Sequence, residues 1–240
     1  MTVDLFVPCF VDQFSPNTAL NAIKILEKCG LTVNYNPEQT CCGKDVFEAG
    51  FWDEAKELGE KLLKDFPGDN KIVCLSTSCV SYIQSNFQTI FYNSGSHLEY
   101  KKMAARSYEF TDFLVNELNA VNFGSVFEHK VTYHDSCYAL RKYKYCIKEE
   151  PRVLLKNIQG LELVELNDDD CCGFGGLFSL KHSSISTAMV EAKVRKALDL
   201  GVTHIISADC GCLINLNSYI ERHNLPLQVM HIADVLAEGI

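Results

Sequence analysis

Residues 171–176 read Cys171-Cys172-Gly173-Phe174-Gly175-Gly176, and residues 41–43 carry the shorter form Cys41-Cys42-Gly43. Neighbouring cysteines do not readily bridge each other without backbone strain. They are better suited to presenting two thiolates to one polynuclear metal centre. Working outward from these pairs exposes a duplication. In the first half an apolar run over residues 3–7 leads to Cys9, then 31 residues follow before Cys41, and 35 separate Gly43 from Cys79. In the second half Val131-Thr132-Tyr133 leads to Cys137, then 33 residues precede Cys171, and 38 separate Gly173 from Cys212. Equivalent cysteines are offset by 128, 130, 130 and 133 residues, so the halves differ only by loop-sized insertions.

The stretches between cysteines alternate strand and helix. Ser15-Pro16 starts a helix with proline at its first position, Ala19, Ile23 and Leu26 share one face, and Gly30 stops it. Residues 31–35 read as a strand. Ala55, Leu58, Leu62 and Phe66 mark the next helix, closed by Pro67-Gly68, and residues 72–75 make a third strand. The second half repeats this with strands at 131–133, 161–166 and 204–207, and a helix through Ile185, Met189 and Ala192 that ends at Gly201. Residues 81–122 read as helical and connecting, with Phe110, Phe113, Leu114 and Leu118 as their apolar stripe. Residues 225–240 read as one more strand and a closing helix.

The expected fold is therefore α/β: two pseudo-repeated Rossmann-like βαβ units with mainly parallel sheets. The first repeat and its connecting helices would span 1–122, and the second, with the closing strand and helix, 123–240. Each cysteine of the repeated order follows the carboxyl end of a predicted strand. Open parallel sheets hold their ligands there.

Composition narrows the classes of function. The chain has 240 residues, 22 Lys and Arg against 31 Asp and Glu, and a formal charge of −9. That balance disfavours non-specific binding to nucleic acid or anionic membranes. No apolar run approaches the ~20 residues of a membrane span, and residues 1–10 do not read as a secretory signal. A cytoplasmic protein without a transmembrane segment is expected. In such a reducing compartment, twelve cysteines point to metal or redox chemistry before disulfides.

Four thiolates per half suit zinc or an iron–sulfur centre. Structural zinc favours two close Cys-x(2–4)-Cys knuckles, and neither half has two of them. A larger centre can accept an adjacent pair, because its sulfurs reach different metals. The glycines after Cys171-Cys172 would let backbone amides approach such a centre; their plainer reading is a tight turn. This is no dinucleotide loop, since Phe178 stands where the third glycine belongs.

This cysteine order resembles the duplicated cysteine-rich CCG domain found in heterodisulfide reductase and in the iron–sulfur subunit of glycolate oxidase. Over nearly the whole length it is more similar to the lactate-utilisation A family. The segments that carry this likeness are His134-Asp135-Ser136-Cys137, Ser207-Ala208-Asp209 with Cys212-Leu213, and Met230-His231-Ile232-Ala233-Asp234-Val235-Leu236. The resemblance implies two iron–sulfur clusters of the 4Fe-4S type, cubane or non-cubane. Cys9, Cys41, Cys42 and Cys79 would hold one; Cys137, Cys171, Cys172 and Cys212 would hold the other. It also implies an electron-transfer subunit working with the other subunits of a lactate-utilisation complex that oxidises L-lactate to pyruvate. The heterodisulfide reductase pattern closes each repeat with Cys-x-x-Cys, and this chain does not, which leaves Cys210 as a spare ligand and Cys74 as core.

Two other classes stay open. One is a heterodisulfide-reductase-like thiol/disulfide redox subunit. The other is a non-enzymatic zinc-stabilised or redox-sensing binding protein. Among the remaining residues, Cys29 and Cys146 read as buried small hydrophobes. His134 reads either as a hydrogen-bond donor to a cluster thiolate, or proton relay, or as a satisfied structural histidine. His231 reads as a cap or packing residue. Asp168-Asp169-Asp170 reads as a polar turn, and Arg141, Lys142, Lys144 and Lys148 as a solvated basic face or a docking patch.

Overall fold

The computed structural model describes residues 1–141 and 146–240. Two four-stranded sheets lie at its heart. The first comprises β1 (Thr2–Phe6), β2 (Thr32–Tyr35), β3 (Lys71–Cys74) and β4 (Ser107–Glu109) in the order β2-β1-β3-β4. The second comprises β5 (Lys130–Tyr133), β6 (Glu162–Leu163), β7 (His204–Ser207) and β8 (Gln228–His231) in the order β6-β5-β7-β8. Every pairing among these strands is parallel. The expected α/β fold of two repeated units is what the chain forms.

Helices cover the sheets because the central strands are apolar on both faces. All four residues of β7 are buried, as are Ile72, Val73 and Cys74 of β3, the pattern of a doubly covered parallel sheet. The helix Pro16–Lys28 has its proline in the first turn and ends at Cys29, before Gly30 at φ 77°. Trp52–Asp65 and Ser183–Asp199 take the other predicted helical stretches.

Two segments differ from the sequence reading. Within residues 81–122 the chain makes a fourth strand, β4, which pairs with β3 through Ile72, Val73 and Cys74. Its Ser-Tyr-Glu sequence has no apolar run to announce it, yet it is the counterpart of β8. The expected strand at 161–166 shortens to Glu162–Leu163, because Glu165 turns aside to pair with Arg152.

The repeats share a core. Ile25, Leu26, Val73, Phe110 and Phe113 from the first half pack in one cluster with Val131, Leu154, Ile206, Ile232 and Leu236 from the second. Polar ties reinforce it. Asp234 accepts hydrogen bonds from Thr18 Oγ1 (2.8 Å) and Asn21 Nδ2 (2.9 Å), and Asp209 Oδ2 accepts from the Ser78 amide at 2.9 Å. These contacts hold the carboxyl ends of the two sheets against each other. Among the described residues, no helix is long and apolar enough to cross a membrane.

Candidate metal centres

Each set of four cysteines converges, and the vicinal pair does the bridging. Cys41 Sγ lies 3.6 Å from Cys9 Sγ, while Cys42 Sγ lies 3.3 Å from Cys79 Sγ. The second half repeats the scheme, with Cys137, Cys171, Cys172 and Cys212 around one cavity and the sulfurs of Cys172 and Cys212 within 4.8 Å of each other. Two neighbours in sequence thus serve opposite sides of one nest. The turn that permits this is the same in both halves. Gly43 has φ 88° and Gly173 φ 85°, a left-handed conformation that suits glycine. Their amides donate to Cys41 Sγ and Cys171 Sγ, each at 3.4 Å.

Contacts between the thiols split the acidities within each nest. Bonds from Cys42 and Cys9 pull Cys41 down to about 3. Bonds from Cys137 and Cys172 pull Cys171 down to about 2. The thiols that donate, Cys9 and Cys137, are pushed up by those same bonds and by burial. Cys79 falls to about 5 through Cys42 and Cys74. Cys212 receives a bond from Cys172, but burial leaves it above an ordinary thiol.

The nests are neighbours. One cavity is lined by Cys9, Cys41, Cys42 and Cys79, the other by Cys137, Cys171, Cys172 and Cys212, and both are lined by Phe10, Lys44, Ser78 and Gly211. Phe10 meets Phe174 edge-on at 5.4 Å between centroids. Gly211 leaves room for that contact, since a Cβ there would lie 2.7 Å from the Phe174 ring. Lys44 is buried with its ammonium on Asp45 (2.6 Å) and Glu48 (3.0 Å).

The extra cysteines fall where spacing does not foretell. Cys210 lines the cavity of the first nest, although it belongs to the second repeat. Cys74 is fully buried and bonded to Cys79, so it backs the first nest as well as filling core. Cys29 is half-buried, but Cys146 is exposed with φ 57°, which overturns the buried reading for it. The left-handed turn there faces it outward.

His134 is fully buried, and among the described residues neither ring nitrogen has a hydrogen-bond partner. Its ligating nitrogen and the sulfurs of Cys172 and Cys212 all lie within 4.8 Å of one another. The satisfied-histidine reading therefore fails. His231, by contrast, is the expected cap: Nδ1 accepts from the Ala233 amide and Nε2 donates to Leu75 O. The remaining polar residues also gain definite roles. Asp168 is no free turn residue, for Lys193 (3.1 Å) and Lys196 (2.9 Å) both pair with it. Arg141 and Lys148 reach Asp169; Lys142 and Lys144 lie outside the described residues. Asp135, beside His134, makes a bidentate pair with buried Arg152 at 2.9 and 2.7 Å.

A profile described as the cysteine-rich domain, CCG, matches residues 3–84 and 131–217, one match on each nest. The chain belongs to the cysteine-rich CCG family. It is also 38% identical over 244 residues to Lactate utilization protein A 2 of Bacillus cereus (strain Q1), covering 100% of this chain and 99% of the relative. To Lactate utilization protein A of Anoxybacillus flavithermus (strain DSM 21510 / WK1) it is 39% identical over 238 residues, covering 98% and 99%. Within the CCG family it therefore falls in the lactate utilization protein A group. Among solved structures, a hypothetical protein from Helicobacter pylori superposes with a TM-score of 0.63 at 16% identity, over 100% of this chain and 49% of that chain. That likeness is one of fold.

The donors of this CCG protein fit an iron–sulfur group better than a lone ion. Each nest offers four soft sulfurs, two of them from adjacent residues, with a backbone amide already directed at one sulfur. Thiolates with amide donors are the ordinary surroundings of such a group.

Proposed function

We propose that this chain is the iron–sulfur electron-transfer subunit of a multi-protein system that oxidises L-lactate to pyruvate. Cys9, Cys41, Cys42 and Cys79 would hold one group, and Cys137, Cys171, Cys172 and Cys212 the other. When bound, such groups supply one-electron redox chemistry. The chain's own residues bring the two thiol nests to a common wall, shield them with Phe10 and Phe174, and aim the Gly43 and Gly173 amides at their sulfurs. The observation that carries this reading is the duplicated nest, because a two-electron oxidation passed on singly is served by two adjacent one-electron sites. The lactate utilization protein A relatives supply the substrate and the expectation of partner subunits.

Anaerobic purification with iron and sulfide analysis tests the first part. About eight irons with matching sulfide per chain are expected for two four-iron groups; one zinc without sulfide would overturn the assignment. Deleting the gene should abolish growth on L-lactate while sparing growth on pyruvate. Unimpaired growth on lactate would overturn the substrate.

A further inference from the structure

The repeat offsets place His134 opposite Phe6, since both stand three residues before the first cysteine of their nest. Phe6 is fully buried against Phe66, edge-on at 5.5 Å, and is complete as an apolar packing residue. His134 occupies an equally dry position with two polar nitrogens and no partner for either. Burying an imidazole without hydrogen bonds is costly, so a retained orphan of this kind calls for a partner. The site identifies one. The sulfurs of Cys172 and Cys212 lie within 4.8 Å of the ring's ligating nitrogen and of each other. Metal–nitrogen bonds of about 2.0 Å and metal–sulfur bonds of about 2.3 Å hold donors on one metal roughly 3.5–4 Å apart. A small side-chain movement therefore brings the ring nitrogen within reach of a metal that either sulfur holds.

We propose that His134 is a nitrogen ligand of the second centre, placed beside Cys172 and Cys212. This rests on the iron–sulfur reading above and deepens it. Coordination uses the lone pair of one nitrogen and leaves the proton on the other. The ring is held in place from behind. The His134 amide donates to Ile206 O at 2.7 Å, Ser207 Oγ donates to His134 O at 3.0 Å, and Asp135 is clamped by Arg152. An imidazole donor is neutral, so it sets a higher potential than a thiolate at the same position would.

The test uses the full chain, purified or reconstituted anaerobically with 15N-labelled histidine. Pulsed electron paramagnetic resonance of the reduced protein should show a directly coordinated 15N coupling, lost in His134→Phe. Redox titration should resolve two potentials, and His134→Cys should lower one of them while leaving the other in place. His134→Cys keeps a donor at the position and so guards against a folding failure of His134→Phe. Iron and sulfide bound in full, with no strong nitrogen coupling or with coupling that persists in His134→Phe, would overturn the proposal alone. Absence of iron and sulfide from the wild-type chain would overturn this proposal together with the function it rests on.

Discussion

The two nests share their sulfur pattern and differ in nearly everything around it. The first has Phe6 behind it, Val7 before Pro8-Cys9, and Cys74 bonded to Cys79. The second has His134, the Asp135–Arg152 pair, and Ser207 at the position of Cys74. After the Cys-Cys-Gly turn, the first continues with the cation Lys44 and the second with the apolar Phe174. Cys210, from the second repeat, lines the first nest's cavity and sets its thiol 3.6 Å from Ser15 Oγ. A duplicated chain keeps the turn and the convergence that bind a group, because these depend on glycine conformation and sheet geometry. It is free to change the neighbours that set polarity and potential.

The sharpest way to break the comparison is to empty one nest at a time. Cys42→Ser and Cys172→Ser should each remove about half of the iron and sulfide, with the spectrum of the remaining centre unchanged. Loss of both sets from either variant would mean that the nests fill only together.

The next difference lies in how the two loops are held. Arg152 and Asp135 are both buried, and removing one member of a buried ion pair costs about 3–5 kcal/mol. In the first repeat the same place is held by Gln39, whose Oε1 accepts from the Val7 amide at 2.8 Å. Losing that bond costs about 1–3 kcal/mol. Arg152→Met should therefore destabilise the metal-free protein more than Gln39→Ala, as read by denaturant unfolding. Equal losses would show that the Arg152 pair is no anchor.

Smaller effects should separate the two left-handed glycines. A methyl at Gly173 would lie 2.8 Å from Ser186 O, whereas at Gly43 its nearest neighbour is Leu58 Cβ at 3.3 Å. Both substitutions incur the left-handed penalty of about 1–2 kcal/mol, and Gly173→Ala adds an overpacking cost of about 1 kcal/mol or more. Denaturation midpoints of the two variants should differ in that order.

Much of this is legible in the sequence. The duplicated cysteine order needs no coordinates, and strand–helix alternation with the caps at Pro16 and Gly30 specifies parallel units. What stays hidden depends on contacts between distant segments. β4 has no apolar run, and it forms because β3 offers it a free edge. Cys210 reads as a spare ligand of its own repeat, but it lines the cavity of the other nest, with its thiol beside Ser15 Oγ. The orphan state of His134 is a matter of missing partners, which no spacing encodes. Its one sequence signal is the mismatch with Phe6 at the same repeat position.

The smallest predicted effects come from the ends of β4 and β8, where the repeats cap the following turn differently. Glu109 accepts from the Thr111 and Asp112 amides, while His231 Nδ1 accepts from Ala233. Burial pushes the Glu109 carboxyl up to about 8 and pushes His231 below an ordinary histidine. The signs oppose. Between about pH 4.5 and 8 the unfolded chain releases the Glu109 proton that the folded chain keeps, so this contribution to stability declines as pH rises. Below about pH 6.5 the unfolded chain protonates His231 while the folded chain resists, so that contribution declines as pH falls. In the metal-free protein His134 acts in the same direction as His231. The acid limb is therefore best measured in a His134→Phe background, where His231→Asn, which retains a capping acceptor, should flatten it. Glu109→Gln should flatten the opposite limb and leave the acid one unchanged. A pH profile of unfolding midpoints that responds to neither variant would show that the two caps do not titrate with folding.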